Sequence, residues 1–220
     1  MINGYYYLAL CLVGLGYLLH RLGRRCLAAN EIDWGAGWMN HIDGFNRLLC
    51  RHYHRLPPVR LELPQNGPAI VVANHISGLD PMLMMASSQR PLRFLIAREQ
   101  YGRFGLQWLF RAIGCIPVDR QRSPEKALRA AFKALRNGEV VALFPHGKIH
   151  LDSHPPRKLK AGAARLAIYT GAPLIPLRIS GVRFPGHIVR PILFRAQAVL
   201  TPFPPIQPQD RDTQSLLAQL

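Results

Sequence analysis

The chain has 220 residues, enough for one domain with a normal core, and 49% of them are hydrophobic against 18% charged. That balance excludes a disordered chain and a polytopic membrane protein. A formal net charge of +16, from 28 Lys+Arg against 12 Asp+Glu, calls for an anionic partner: nucleic acid, an anionic lipid surface or a phosphorylated small molecule.

Tyr5 to Leu19 is uncharged and apolar, and His20-Arg21-Leu22-Gly23-Arg24-Arg25 follows it. A run of this length sits at the lower edge of what spans a bilayer. The charge follows the apolar stretch instead of preceding it, which is the reverse of a cleaved secretory signal. Arginines on this flank keep it, and the body of the protein, on the cytoplasmic side. Residues 1–25 are therefore read as a membrane anchor, with a buried core helix as the alternative. Cys11, Cys26, Cys50 and Cys115 are scattered, as reduced thiols of a cytosol-facing protein would be.

Trp34, Trp38, Ile42, Phe45 and Leu49 recur at helical spacing, with Asn40, Asp43, Asn46 and Arg47 off the stripe. Two tryptophans on one face suit the headgroup boundary, so residues 26–56 are expected to form an amphipathic membrane-docking segment. Packing of the same stripe on the core is the competing reading.

From Pro57 the pattern becomes strands alternating with helices. Strands are expected at Val59–Leu63, Ala69–Ala73, Leu92–Ala97, Cys115–Val118, Val140–Phe144 and Leu174–Ile179, with two more between Ile188 and Phe203. Helices are expected from Asp80-Pro81, with Asp80 as N-cap, over Leu106–Ile113, from Ser123-Pro124-Glu125 to Gly138, and over Gly162–Thr170. The pattern predicts an α/β fold with a largely parallel, mixed sheet flanked by helices, over residues 57–220. Pro202-Phe203-Pro204-Pro205 reads as an edge or wrapping segment.

His75 and Asp80 stand five apart, in the turn Asn74-His75-Ile76-Ser77-Gly78-Leu79-Asp80-Pro81 that leaves the apolar run Ala69–Ala73. A carboxylate that orients an imidazole there suits removal of a proton from a hydroxyl. On these two residues alone, a helix cap and a satisfied polar histidine are equally open. Three more segments follow at strand ends: Gly114-Cys115-Ile116-Pro117-Val118-Asp119-Arg120, Phe144-Pro145-His146-Gly147-Lys148 and Ala172-Pro173-Leu174-Ile175-Pro176-Leu177.

With these four blocks in order, the sequence resembles the glycerolipid acyltransferase family, whose bacterial type members are 1-acylglycerol-3-phosphate acyltransferases. Asn74, His75 and Asp80 match the family's Asn-His-x-x-x-x-Asp. Gly114, Ile116 and Arg120 match Gly-x-Ile-x-x-x-Arg, and Pro173–Leu177 matches its proline-bearing strand. The resemblance implies an O-acyltransferase of phospholipid biosynthesis that needs no cofactor. Its donor would be acyl-CoA or an acyl-carrier protein, and its acceptor a lysophospholipid. His75 would be the base and Asp80 its orienting carboxylate. Asn74, Ser77, Gly114, Arg120, Pro145, His146, Gly147 and Lys148 would line the substrate. An anionic membrane surface is the expected partner, and nucleic acid is not.

The third block departs from the family, which usually has Glu where this chain has His146 and often Arg where it has Ile149. Arg157, Lys158 and Lys160 are nearby replacements for the missing cation, and the acceptor is the open question: 1-acylglycerol-3-phosphate, or a lyso-aminolipid, a headgroup-bearing lysophospholipid or a specialised metabolite. His146, His150 and His154 with Asp152 have ligand-like spacing, but Gly147, Pro145 and Pro155 disfavour the helix that would align them. A cationic, pH-sensitive acceptor loop is expected there, without metal. Ser77, in a turn before a helix, is expected to bond backbone, and the oxyanion donors are sought among N–H groups near the helix at Pro81. A non-catalytic basic membrane-binding protein is the reading of another class.

Overall fold

The computed structural model describes residues 2–103, 105–155, 157–208 and 212–219, without the side chains of residues 2–4; Met1, the first residue of the expected anchor, lies outside them. Helix α1 (Ile2–Ala29) is followed by α2 (Gly37–Leu48), which runs into one π-helical turn, Leu49–Tyr53. The sheet domain then reads β1 (Ala69–Ala73), α3 (Asp80–Ala86), β2 (Leu92–Ala97), α4 (Arg98–Tyr101), α5 (Gln107–Ile113) and β3 (Ile116–Val118). It continues with α6 (Pro124–Arg136), β4 (Val140–Leu143), α7 (Gly162–Thr170), β5 (Leu174–Ser180), α8 (Arg190–Leu193), β6 (Val199–Pro202) and α9 (Thr213–Ala218).

The six strands lie in the order β3-β2-β4-β1-β5-β6. All pairings are parallel except β5 with β6, as the expected mixed, largely parallel sheet requires. β1 is central and wholly buried, which explains why Ala69-Ile70-Val71-Val72-Ala73 is apolar without alternation. Ala69, Val71 and Ala73 face the layer holding α3, while Ile70 and Val72 face α6, α7 and α9. The helix after β1 thus covers one face of the sheet and the helix after β4 the other. Adjacent strands whose chains depart to opposite faces leave a crevice at their carboxyl ends, the usual ligand site of an open α/β sheet.

Helix α2 docks with its polar side inward. Arg47 is fully buried and donates to Asp43 Oδ2 (2.6 Å), Ala86 O (3.1 Å) and Ser88 O (2.6 Å), so it satisfies carbonyls at the end of α3. Asn46 Nδ2 donates to Met82 O at 3.0 Å. Trp38 and Phe45, on the aromatic stripe, are left half exposed, and Trp38 meets Trp108 of α5 with ring centroids 5.5 Å apart. A Cβ on Gly44 would overlap the Cys26 carbonyl, so glycine is what lets α1 and α2 touch. Beyond that contact, the 25 residues Tyr5–Ala29 form a helix long and apolar enough to cross a membrane, with none of its most apolar stretch buried.

Two expected strands are absent. Val59–Leu63 has no regular secondary structure and joins no ladder, because Pro57, Pro58 and Pro64 restrict it, its Leu61 N–H goes to Ser87 O (3.0 Å) and its Leu63 N–H turns back to Leu61 O (2.8 Å). The first of the two strands expected between Ile188 and Phe203 is instead the turn α8, with Pro191 near its start. The second is β6, an edge strand as the prolines suggest. All four cysteines are free thiols; burial pushes Cys50 and Cys115 up to about 12, too high for reactivity.

Candidate active site

The turn after β1 folds around one carboxylate. Asp80, fully buried, accepts at Oδ2 from Ile76 N (2.7 Å), Ser77 N (2.8 Å) and His75 Nδ1 (2.8 Å), and at Oδ1 from Ser77 Oγ (2.6 Å). These donors precede Asp80, so the carboxylate does not cap the helix it begins, contrary to the expected N-cap role. With Nδ1–H directed at Asp80, the imidazole presents its Nε2 lone pair outward. The His75 ring lies on Phe144, centroids 4.1 Å apart and planes 15° from parallel. Phe144 follows β4, so the two sides of the crevice meet at this contact.

Backbone bonds hold the turn from two directions. His150 N donates to His75 O (2.8 Å), Gly186 N to Ile76 O (2.8 Å), and Gly78 N to His187 O (3.1 Å). A Cβ on Gly78 would overlap the Ile188 carbonyl. Leu79 N donates to Ser77 Oγ at 3.2 Å. The N–H groups of residues 76 to 79 are therefore all engaged, and Pro81 has none, so this turn does not supply the oxyanion donors sought there.

Asn74 and Ser77, expected at the substrate, point inward. Asn74 exchanges two bonds with the backbone of Ile179 (2.9 and 2.7 Å), tying the end of β1 to β5, and Ser77 is buried on Asp80. Gly114 ends α5 at φ +75, where a Cβ would collide with the Arg93 guanidinium; it shapes the fold. Arg120, exposed, follows β3 in a turn held by Asp119 Oδ1, which accepts from Gln121 N and Arg122 N.

The third block is a turn, not a helix. Pro145 is buried, and its carbonyl accepts from Lys160 N (3.0 Å). Gly147 has φ +72, and a Cβ there would sit 2.7 Å from Lys160 Nζ. Burial first, then the charges of Arg120, Arg157 and Lys148, push the Lys160 ammonium below its usual value. Four cations from three segments thus crowd one spot, which a phosphate would relieve. Lys148 and Arg157 also line an open cleft of about 420 Å³ with Ile149, His150, His154 and Pro155.

His146 stacks on His150 (centroids 4.5 Å apart), and His150 meets His154 edge-on (5.4 Å). The rings stack; among the described residues no group of three His, Cys, Asp or Glu is arranged to hold a metal ion. Burial first, then His150 and Arg157, holds His146 below the ordinary histidine value, and its buried Nδ1 has no partner. Burial thus disfavours the charged form of this ring within the expected cationic, pH-sensitive loop. The sequence gives no sign of Phe144 as the shelf for the imidazole or of the Gly186–His187 backbone as its brace. Only the bare Gly78 hints at a close approach.

Comparison with known proteins gives a family and a fold. A family model described as Acyltransferase matches residues 59–180. The chain is 31% identical over 138 residues to a probable 1-acyl-sn-glycerol-3-phosphate acyltransferase of Mycoplasma pneumoniae, covering 57% of this chain and 49% of that protein. It is also 31% identical over 113 residues to an N-acylphosphatidylethanolamine synthase of Arabidopsis thaliana, covering 47% and 40%. The matches span about half the length of these relatives or less. The fold is that of PlsC, the 1-acyl-sn-glycerophosphate acyltransferase of Thermotoga maritima, with a TM-score of 0.63 over 98% of this chain and 88% of that one, at 21% identity.

Proposed function

The chain belongs to the acyltransferase family, and on that premise we propose that it moves a fatty acyl group from an acyl thioester to the hydroxyl of a lysophospholipid, most simply 1-acylglycerol-3-phosphate, giving phosphatidate. The observation that carries this is an Asp80-oriented His75 bonded through the His150 N–H to the loop whose Lys148, Arg157 and Lys160 gather with Arg120. A phosphate bound by the cations would bring a glycerol hydroxyl towards Nε2.

His75 takes the proton as the hydroxyl oxygen attacks the thioester carbonyl. The tetrahedral intermediate collapses with cleavage of the C–S bond, and His75 returns the proton to the leaving thiolate. Asp80 stabilises the imidazolium between these steps, as in hydrolase triads. A positioned base of this kind contributes about 10² to 10⁴ in rate. No acyl-enzyme is required: Ser77, the hydroxyl two residues along from His75, is buried and bonded to Asp80. The donor is a coenzyme A or carrier-protein thioester.

In this reading residues 1–25 anchor the protein, 26–56 lie at the interface, and 57–220 form the acyltransferase domain. Arg21, Arg24 and Arg25 favour a cytoplasmic catalytic domain. The exposed apolar α1 and the outward Trp38 and Phe45 support the bilayer-bound part.

A second acceptor class is favoured by His146, standing where the family usually has a carboxylate, and by the similarity to a plant enzyme named for N-acylation of phosphatidylethanolamine. Purified protein offered a panel of lyso-acceptors and phosphatidylethanolamine with one acyl thioester separates the two. Dominant turnover of lysophosphatidate eliminates the second reading, and dominant amide formation eliminates the first.

A further inference from the structure

Between β5 and β6 the chain leaves the sheet and crosses beside the catalytic turn, to which Gly186 N and His187 O are bonded. Its outer surface is apolar. Leu193 is 63% and Phe194 46% exposed, and Ile188 and Val189 are exposed beside them. No Asp or Glu occurs in the sequence between Asp152 and Asp210, while Arg183, Arg190 and Arg195 are all exposed on this segment and make no ion pair with a described residue. Phe184 holds a left-handed backbone (φ +56) with its ring edge-on to Phe194 and under Arg183. For an aromatic residue that conformation costs about 1–2 kcal/mol, and such strain tends to persist at working surfaces.

We propose that Arg183–Arg195 is a second bilayer-contact element, laid on anionic lipid beside His75; this rests on the bilayer-bound reading above. Sidedness and continuity select the occupant. Ile192 packs on the same core cluster as Trp34 and α3, so the segment lies on the α2 side of the sheet. The outward stripe of α2 continues at spacings of four from Phe45 through Leu49 to Tyr53, whose hydroxyl donates to Leu193 O at 2.8 Å. Exposed apolar side chains flanked by unpaired arginines match the interfacial layer of an anionic membrane. The opposite face of the sheet, covered by α6 and α7, exposes Phe132, Ile168 and Tyr169, but they do not adjoin the catalytic turn, and Lys126, Arg129, Lys133 and Arg136 make the α6 surface strongly polar; this face remains towards water.

The full chain with Cys11→Ser, reconstituted in phosphatidylglycerol bilayers, is labelled with a fluorophore at Leu193→Cys or, as control, at Lys133→Cys on α6. Nitroxide-bearing lipids should quench the label at 193 severalfold more than that at 133, and adding Arg190→Glu with Arg195→Glu should return it towards the control. Equal quenching at both positions, in bilayers with which the chain still floats, overturns this contact and leaves the anchor standing. Failure to float overturns both. Undiminished quenching at 193 in phosphatidylcholine bilayers refutes the requirement for anionic lipid. None of these readouts depends on acyl transfer.

Discussion

His75 and Phe144 lie ring on ring, 4.1 Å between centroids, joining the turn after β1 to the turn after β4. The stack fixes the tilt of the imidazole while Asp80 fixes its rotation, so neither contact alone orients Nε2. Phe144→Ala should therefore lower kcat about tenfold or more, since small misplacements of a catalytic group carry large rate penalties. Phe144→Tyr, which keeps the shelf, should retain most of the activity. Steady-state kinetics on the two variants decides this, and equal loss in both would remove the shelf role.

His75→Ala should abolish acyl transfer, a fall of about 10² to 10⁴, with bilayer association unchanged. The paired measurement is turnover and flotation on one preparation. Surviving transfer would mean that another base does the work.

Arg120→Ala and Lys160→Ala should each raise the KM for lysophosphatidate about 10- to 100-fold, the equivalent of one lost charge-assisted hydrogen bond, with kcat little changed. Raised salt should weaken the wild-type protein in the same direction. An acceptor without a phosphomonoester should be much less sensitive to either change, so kinetics with both acceptors tests whether these cations read phosphate.

His146 gives opposite signs for stability and binding. Its pKa is lowered on folding, chiefly by burial, so the unfolded chain takes up the proton first as pH falls through the ordinary histidine range. Folding stability attributable to this residue therefore declines on acidification and recovers above that range. Once protonated, the ring adds a positive charge to the proposed acceptor site, so the KM for lysophosphatidate should fall relative to that of His146→Gln at the same acidic pH. The ratio of the two KM values across the titration isolates the histidine from the phosphate's own ionisation. A flat ratio would rule out this role.

Deleting Met1–Arg25 should release much of the protein from membranes, with Trp38 and Phe45 retaining a fraction. Cys26, which packs against Gly44, is kept, so the truncated domain should still melt cooperatively. Unchanged flotation would refute the anchor.

What the sequence made legible is local: β1 from its unbroken apolar run, α6 from Ser123-Pro124 and Gly138, and the His75–Asp80 pair from spacing. What it concealed depends on contacts across the chain. Arg47 and Asp43 look like the wet side of an amphipathic helix, yet they go inside because α3 offers carbonyls to satisfy. Asp80 before Pro81 has the signature of a helix cap, but amides on its other side compete for the carboxylate. The proline-flanked Val59–Leu63 meets no strand to pair with. Lys160 lies forty residues from Arg120, and only the sheet order brings them together.

The buried Arg47 has a mechanical consequence. It clamps α2 to the far end of the helix whose first residue is Asp80. Whatever α2 lies on therefore serves as a datum plane for the reacting atoms, and the height of His75 above it is set at folding. On the proposed reading, acceptors whose hydroxyl rests at that depth would be reached without lifting the lipid from its layer, while those held higher or lower would be passed over. Such a gauge would select by position as well as by chemistry.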